Sequence, residues 1–170
     1  MKTKAAILHT IGKPLDVVNI ELPSLNEGQY LIKILYTSVC GSQLNEIRGT
    51  KGEDKYLPHL LGHEAVGIVL DKHPSCRKIN IDDVVICSWI NGGGLNGGPV
   101  KYGKYNAGPI ATFTEYAIIS ENKLHAFDKK PNPIHSILGC AVPTGFGAVQ
   151  SVFPDVVNKN VLVIGAGARS

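Results

Sequence analysis

The sequence lacks paired cysteines and long apolar runs, and each absence narrows the class of protein. Its four cysteines lie far apart with no Cys-x-x-Cys pair, which favours free thiols or metal ligands over disulfides. No stretch reaches membrane-spanning length, and the apolar run after the two N-terminal lysines stops too early for a signal peptide. The sequence therefore predicts a soluble cytoplasmic protein that does not bind membranes.

The chain also lacks a charge imbalance. Seventeen basic and fourteen acidic side chains give a formal net charge of +3, spread along the sequence without a run of one sign. This distribution argues against nucleic acid as a partner. With 170 residues, of which 44% are hydrophobic, the chain can bury one sizeable core and begin a second.

Short strand patterns separated by turns recur about every ten residues. This recurrence predicts an all-β barrel or sandwich. The predicted strands lie at residues 4–9, 16–22, 29–36, 65–70, 111–119 and 124–127, and residues 80–87 are predicted to be a turn that feeds a further strand.

Other segments break this pattern. A short helix is predicted at residues 42–48, and the glycine-rich residues 91–109 are predicted to be one long loop. Apolar residues at helical spacing over 134–153 predict one or two helices, broken near Pro143. Residues 161–164 are predicted to form a buried parallel strand that enters a glycine turn.

Groups that bind metals and carry protons lie at the ends of predicted strands. Cys40 and Ser42 follow one strand, His63 and Glu64 precede another, and Cys140 offers a second thiol downstream. Two thiolates and an imidazole would neutralise zinc and leave one position for water or an alcohol. Bound zinc makes an alcohol more acidic, so the combination predicts a metal site suited to alcohol chemistry.

Taken singly, each of these residues also has a structural interpretation. A lone cysteine is often a core residue, Ser42 is also suited to cap the helix that follows it, and Glu64 is also consistent with a solvated carboxylate. Cys76 and Cys87 are predicted to be small buried residues. In combination, Ser42 and Glu64 are the predicted catalytic residues: Ser42 carries the alcohol proton, and Glu64 tunes the metal site from beside it.

Four motifs together resemble the zinc-dependent medium-chain alcohol dehydrogenases in order and spacing, over essentially the whole chain. The motifs are Cys40-Gly-Ser-Gln, Leu61-Gly-His-Glu-Ala-Val-Gly67, Leu138-Gly-Cys-Ala-Val-Pro-Thr-Gly-Phe-Gly147 and Val161-Leu-Val-Ile-Gly-Ala-Gly167. The resemblance implies a mainly β fold, a GroES-like partly open barrel with a few helices. It implies hydride transfer between an alcohol or aldehyde and NAD or NADP.

The resemblance also implies roles for individual residues. Zinc would be held by Cys40, His63 and Cys140, the Cys₂His set established for alcohol dehydrogenase. Ser42 would start the proton relay. The residues implied to approach the cofactor are Thr144, Gly165 and Gly167.

Three departures from the family pattern modify these expectations. Residues 91–109 contain no cysteine where the family holds a structural zinc, so one catalytic zinc and no structural zinc are predicted. Gln43 replaces an aspartate beside the site, which changes the network around the metal. Asn45 stands where some members have a relay histidine, so the proton is expected to leave through water or the cofactor.

A fourth departure concerns domain organisation. Residues 1–153 are predicted to form the catalytic domain with a linker helix, and 154–170 the start of a truncated nucleotide-binding domain. The leading hypothesis is therefore an incomplete N-terminal piece of a zinc-dependent alcohol dehydrogenase. The alternatives are a non-catalytic zinc-binding module that pairs with a separate nucleotide-binding chain, and a truncated reading frame. A homo-oligomer is compatible with either organisation.

Overall fold

The computed structural model describes residues 1–152, 159–160, 162 and 164–165, which form mainly β structure. The strands are β1 (Lys2–Leu8), β2 (Asp16–Glu21), β3 (Gln29–Thr37), β4 (His59–Leu60), β5 (Ala65–Lys72), β6 (Val84–Cys87), β7 (Val100–Tyr102), β8 (Tyr105–Gly108), β9 (Tyr116–Ser120) and β10 (Leu124–Ala126). The helices are α1 (Gly41–Arg48) and α2 (Ala141–Val152), with 3₁₀ helices at Glu121–Lys123 and Pro133–Gly139. This content confirms the predicted mainly β class with a few helices.

The first sheet has the strand order β2-β1-β4-β8-β7. β1 and β2 form an antiparallel hairpin, as their alternating patterns predicted. The short strand β4 pairs antiparallel with β1 and parallel with β8. β4 thus leads the chain out of this sheet directly toward His63 and Glu64.

The second sheet has the strand order β10-β6-β5-β3-β9, with β3 and β5 near its centre. In β3 the alternating residues Tyr30 and Ile32 are fully buried, as expected for a β-branched and aromatic strand. Gly67 in β5 lies opposite Ile34, where an added Cβ would come within 2.6 Å of the Lys33 carbonyl oxygen. Glycine at this position therefore permits the close pairing of β3 with β5.

Two hydrophobic clusters form the core. One contains Tyr30 and Ile32 and includes Cys76 and Cys87, both with 0% exposure. The other contains Ile7, Leu60 and Tyr102. The prediction that Cys76 and Cys87 are small buried residues is confirmed.

The prediction of one long loop over residues 91–109 is wrong for its second half. Residues 100–108 form the hairpin β7–β8, in which Tyr102 pairs with Tyr105. Gly103, at φ +62°, allows the tight turn, and Tyr102 is only 2% exposed. One of the glycines that suggested a loop, Gly103, lies in the hairpin turn, and the buried Tyr102 holds that hairpin to the core.

The helical region was predicted correctly, but its break was misplaced. The 3₁₀ helix Pro133–Gly139 ends at Cys140, which has φ −147° and ψ −63°, and α2 begins at the next residue. Pro143 lies in the first turn of α2, where a backbone N–H has no intrahelical acceptor, so the helix tolerates it.

Three of the sequence predictions fall wholly or largely outside the described residues: the strand at 161–164, the domain boundary at 153/154 and Gly167. In the part of the chain that the structure describes, no helix combines the length and apolarity needed to cross a membrane.

Candidate metal centre

Cys40 lies between β3 and α1, at the N-cap position of the helix, with extended backbone dihedral angles. Its backbone N–H donates to Oε1 of Gln43 at 3.0 Å. The Gln43 N–H in turn donates to the Cys40 carbonyl oxygen at 3.1 Å. The first turn of α1 therefore fixes the position of the Cys40 thiol.

His63 and Glu64 lie in the short link between β4 and β5. Gly62 opens this link at φ +92°, and a Cβ there would come within 2.8 Å of the Phe113 nitrogen. Thr37 Oγ1 donates to the Glu64 carbonyl oxygen at 2.9 Å. The link is thus held on both sides, which limits the freedom of the His63 imidazole.

Cys140 lies at the junction of the 3₁₀ helix and α2. Ser88 Oγ donates to the carbonyl oxygen of Gly139 at 2.7 Å, and the Ala141 N–H donates to Glu64 Oε2 at 3.1 Å. Through this hydrogen bond the Glu64 carboxylate joins the His63 link to the Cys140 segment. Glu64 is only 2% exposed. The alternative of a solvated Glu64 carboxylate is wrong.

The side chains of these four residues converge on one point. The ligand atoms of Cys40, His63, Glu64 and Cys140 all lie within 4.8 Å of one another. A tetrahedral zinc with two sulfur ligands and one nitrogen ligand places those atoms about 3.5–4 Å apart, given its bond lengths of about 2.0–2.3 Å. The ligand atoms therefore fit a zinc ion if the distances between them shorten by about 1 Å or less.

The His63 imidazole has one nitrogen engaged and one without a partner. Gln43 Nε2 contacts Nδ1, whereas Nε2 is the buried side-chain nitrogen that finds no hydrogen-bond partner in the described part of the chain. Burial lowers the pKa of His63, and the carboxylates of Glu64 and Glu46 oppose that shift. Neutral imidazole is the form that binds metals.

The thiol of Cys140 is poorly suited to carry an uncompensated charge. Burial raises its pKa, and a hydrogen-bond-range contact with Thr144 Oγ1 at 3.8 Å opposes the shift. The neighbouring Cys40 and Glu64 raise it further. A metal cation supplies the positive charge that stabilises two thiolates in such surroundings.

Ser42 lies in the first turn of α1 but does not occupy the N-cap position, so the alternative of a helix-capping serine is wrong. Its Oγ accepts a hydrogen bond from Lys51 Nζ at 2.8 Å, and Lys51 Nζ also donates to Glu46 Oε1 at 3.0 Å. Lys51 was not predicted from the sequence, because nothing in the polar segment that contains it signals a contact with the site.

Three comparisons with known proteins identify the family and the fold of this chain. A family model described as the alcohol dehydrogenase GroES-like domain matches residues 26–129. An S-(hydroxymethyl)glutathione dehydrogenase of Escherichia coli is 29% identical over 199 aligned positions, covering 99% of this chain and 53% of that protein. The chain thus spans about half the length of the curated relatives it matches.

Solved structures show the same fold at low sequence identity. An alcohol dehydrogenase zinc-binding domain protein from Burkholderia ambifaria has a TM-score of 0.76 and 19% identity, covering 91% of this chain and 50% of that one. A benzyl alcohol dehydrogenase from Acinetobacter calcoaceticus has a TM-score of 0.75 and 22% identity, covering 88% and 48%. The fold implied by the sequence motifs is therefore confirmed.

Proposed function

The chain belongs to the alcohol dehydrogenase GroES-like domain family, and from that premise we propose that it forms the catalytic zinc site of an alcohol dehydrogenase. The proposed reaction transfers hydride between an alcohol or aldehyde and NAD or NADP. One observation carries the proposal: four ligand atoms lie within 4.8 Å of one another, and the His63 imidazole among them has a buried Nε2 with no hydrogen-bond partner in the described residues. The chain spans about half the length of its relatives. The proposal of alcohol dehydrogenase activity therefore depends on the residues of this site.

We assign one zinc to Cys40, His63 and Cys140. Zinc acts as a Lewis acid that makes the oxygen of a bound alcohol more acidic. Two thiolates balance its charge, and Glu64 holds the Cys140 segment in place through the Ala141 N–H. No structural zinc is proposed, because the glycine-rich residues 91–109 contain no cysteine.

Ser42 is proposed to move the proton of the reacting oxygen, and Lys51 is proposed to exchange that proton with solvent. In aldehyde reduction, the Ser42 hydroxyl gives its proton to the product oxygen and takes one from the Lys51 ammonium group at 2.8 Å. Lys51, whose side chain is 46% exposed, is then recharged by water. This path needs no ionisable side chain at position 45, which is asparagine.

The cofactor would approach from the side of α2. Thr144 lies one helical turn beyond Cys140 and is proposed to face the nicotinamide, while Gly165 and Gly167 are proposed to lie near the phosphates. Thiolate ligands must stay reduced, which supports a cytoplasmic location. The proposed partners are the small-molecule substrate and either a second copy of the chain or a nucleotide-binding chain.

Metal content tests the proposed ligand set. Purified chain, stripped with a chelator and reloaded with Zn²⁺, is expected to hold close to one zinc by elemental analysis. Cys40→Ser and His63→Ala are each expected to abolish stoichiometric binding, because either change leaves two protein ligands. Cys76→Ala, which removes a buried thiol from the core, is the matched control and is expected to keep one zinc. Two zincs per chain, or full occupancy in the ligand variants, would show that the ligand set is wrong.

A second candidate function is a zinc-binding module that does not itself catalyse hydride transfer. The exposed apolar face of α2 favours it, because Phe146 and Val152 are 64% and 66% exposed and suit a protein partner. Zinc-loaded chain is assayed with a panel of alcohols and either NAD⁺ or NADP⁺, alone and mixed with a separately expressed nucleotide-binding domain of a relative. Turnover in either assay that disappears in Ser42→Ala supports the enzyme, whereas one bound zinc without turnover in both assays supports the module.

A further inference from the structure

Gln43 links two of the proposed metal ligands through one buried side chain. It is a polar residue with only 2% exposure. Its Oε1 accepts the Cys40 N–H at 3.0 Å, and its Nε2 contacts Nδ1 of His63. Cys40 and His63 belong to different elements, so this amide is a direct bridge between α1 and the link that precedes β5.

The orientation of the amide follows from its partners. A backbone N–H can only donate, so the atom of Gln43 that faces Cys40 must be the oxygen. The NH₂ group therefore faces His63 and donates to Nδ1. A neutral imidazole that accepts at Nδ1 carries its proton on Nε2, the buried nitrogen that has no hydrogen-bond partner among the described residues.

Metal binding through Nε2 demands the opposite tautomer. The proton must then reside on Nδ1, which needs an oxygen acceptor. We propose that Gln43 is a positioning residue whose side-chain amide reverses when the metal binds, so that Oε1 accepts from His63 Nδ1. This inference rests on the proposed zinc site. After reversal the NH₂ group faces the Cys40 N–H, so the metal binds at the cost of one hydrogen bond.

Two variants of Gln43 are expected to change the zinc affinity in opposite directions. Gln43→Glu places an oxygen on both sides, so it accepts from Cys40 and from His63 Nδ1 without any reversal. We expect it to bind zinc at least about tenfold more tightly than the wild-type chain. Gln43→Met keeps the length but supplies neither partner, and we expect binding about 10- to 100-fold weaker.

Zinc affinity is measured by competition with a chromophoric chelator. Gln150→Glu, on an exposed position of α2, adds the same charge without touching a ligand and is expected to leave the affinity unchanged. Gln29→Met removes another buried amide, which contacts Asn26 and Gly97, and controls for loss of packing. Equal affinities in the wild type, Gln43→Glu and Gln43→Met would overturn the inference while leaving the zinc site intact.

The imidazole tautomer provides a readout that needs no variant. In ¹⁵N-histidine-labelled wild-type chain, we expect His63 to be protonated at Nε2 without metal and at Nδ1 with zinc. An Nδ1–H tautomer in both states would overturn the reversal. A chain that binds no zinc would overturn the proposed function, and this inference with it.

Discussion

Gly139 lies where three segments meet behind the metal centre. A Cβ at this position would come within 2.9 Å of the Glu64 Cβ and closer still to the carbonyl oxygen of Cys87. Its own carbonyl accepts from Ser88 Oγ, so the backbone cannot move away without losing that bond. The position of Cys140 therefore depends on a residue that has no side chain.

Gly139→Ala is expected to displace Cys140 and to weaken zinc binding by at least about tenfold. We also expect it to lower the free energy of unfolding by about 1–3 kcal/mol, because the added methyl group overpacks a closed site. Chelator competition and urea unfolding measure the two effects.

Gly145→Ala is the matched control, since a Cβ there meets no atom of the described residues within 4 Å. It lies inside α2 and is expected to stabilise the helix by up to about 1 kcal/mol with unchanged zinc affinity. Wild-type zinc affinity in Gly139→Ala would contradict the packing argument.

The sequence was informative about which residues form the site and less so about their contacts. The three ligand positions were predicted from motifs, and the structure brings their side chains together, although the ligand set itself stays a prediction. The contact of Lys51 with Ser42 and the burial of Glu64 depend on segments distant in sequence. Such contacts leave no local pattern, because they arise only after the strands have paired.

At the scale of elements, a buried carboxylate organises the first half of the glycine-rich segment. Glu121 is 3% exposed, and its Oε2 accepts the Leu95 N–H at 2.7 Å. Its Oε1 accepts from Tyr30 OH at 2.9 Å and from the backbone N–H groups of Arg77 and Lys78 at 3.0 Å. One carboxylate thus holds the segment before β6 and the segment before β7 against β3.

These bonds determine how the carboxyl group of Glu121 titrates. Burial alone would raise its pKa, but the hydrogen bonds from Leu95, Lys78, Tyr30 and Arg77 outweigh burial and lower it below the ordinary value of 4.5. A pKa that is lower in the folded state stabilises the fold above pH 4.5. That stabilisation is lost as the pH falls through the lower, folded-state pKa.

Glu121→Gln is expected to lower the free energy of unfolding at pH 7 by about 1–3 kcal/mol, since an amide cannot accept all four bonds. The difference from wild type should shrink as the pH falls below 4.5, because the wild-type carboxyl group then becomes protonated. Urea unfolding at pH 7 and at pH 3.5 measures it. Glu53→Gln, at an exposed loop position, is the control, and a constant difference between the two pH values would contradict the argument.

Element types were largely predictable, whereas the glycine-rich segment was not. Strand alternation and turn residues located β1, β2, β3 and β5 correctly. Over residues 91–109 the glycine content outweighed the alternating Val100 and Tyr102, whose burial depends on the facing strand β9. Ile118 N–H donates to Tyr102 OH at 2.7 Å, a contact made across the fold.

At the scale of the whole molecule, stability is unevenly distributed. β3 and β5 pair along nearly their whole length and carry fully buried side chains such as Ile32 and Val69. α2 has no buried residue. Its attachment near the site is the Ala141 N–H on Glu64 and the helix start at Cys140.

Hydrogen exchange should reproduce this division. We expect the amides of β3 and β5 to exchange on the order of 100-fold more slowly than those of the last two turns of α2, because only the former are closed into a packed sheet. Mass spectrometry of peptides from both regions measures the rates, with the exposed strand β2 as an intermediate reference. Comparable protection of α2 in purified chain would mean that another surface covers it.

The mainly β class was predictable from the recurrence of strands, but their order in the sheets was not. The parallel pairing of β4 with β8 and the placement of β3 between β5 and β9 depend on contacts between distant segments. Local patterns specify which face of a strand is buried and leave its neighbours unspecified.

From the pairing of β3 with β9 we also expect a late completion of the metal centre during folding. β3 and β5, which flank Cys40 and His63, are close in sequence and can pair early. We expect Cys140 to arrive only after Gln29 has met Ser120 across a long stretch of chain, because pairing between distant segments is slow. We therefore expect zinc to be captured late, so that it prolongs the lifetime of the folded chain and leaves its rate of formation nearly unchanged.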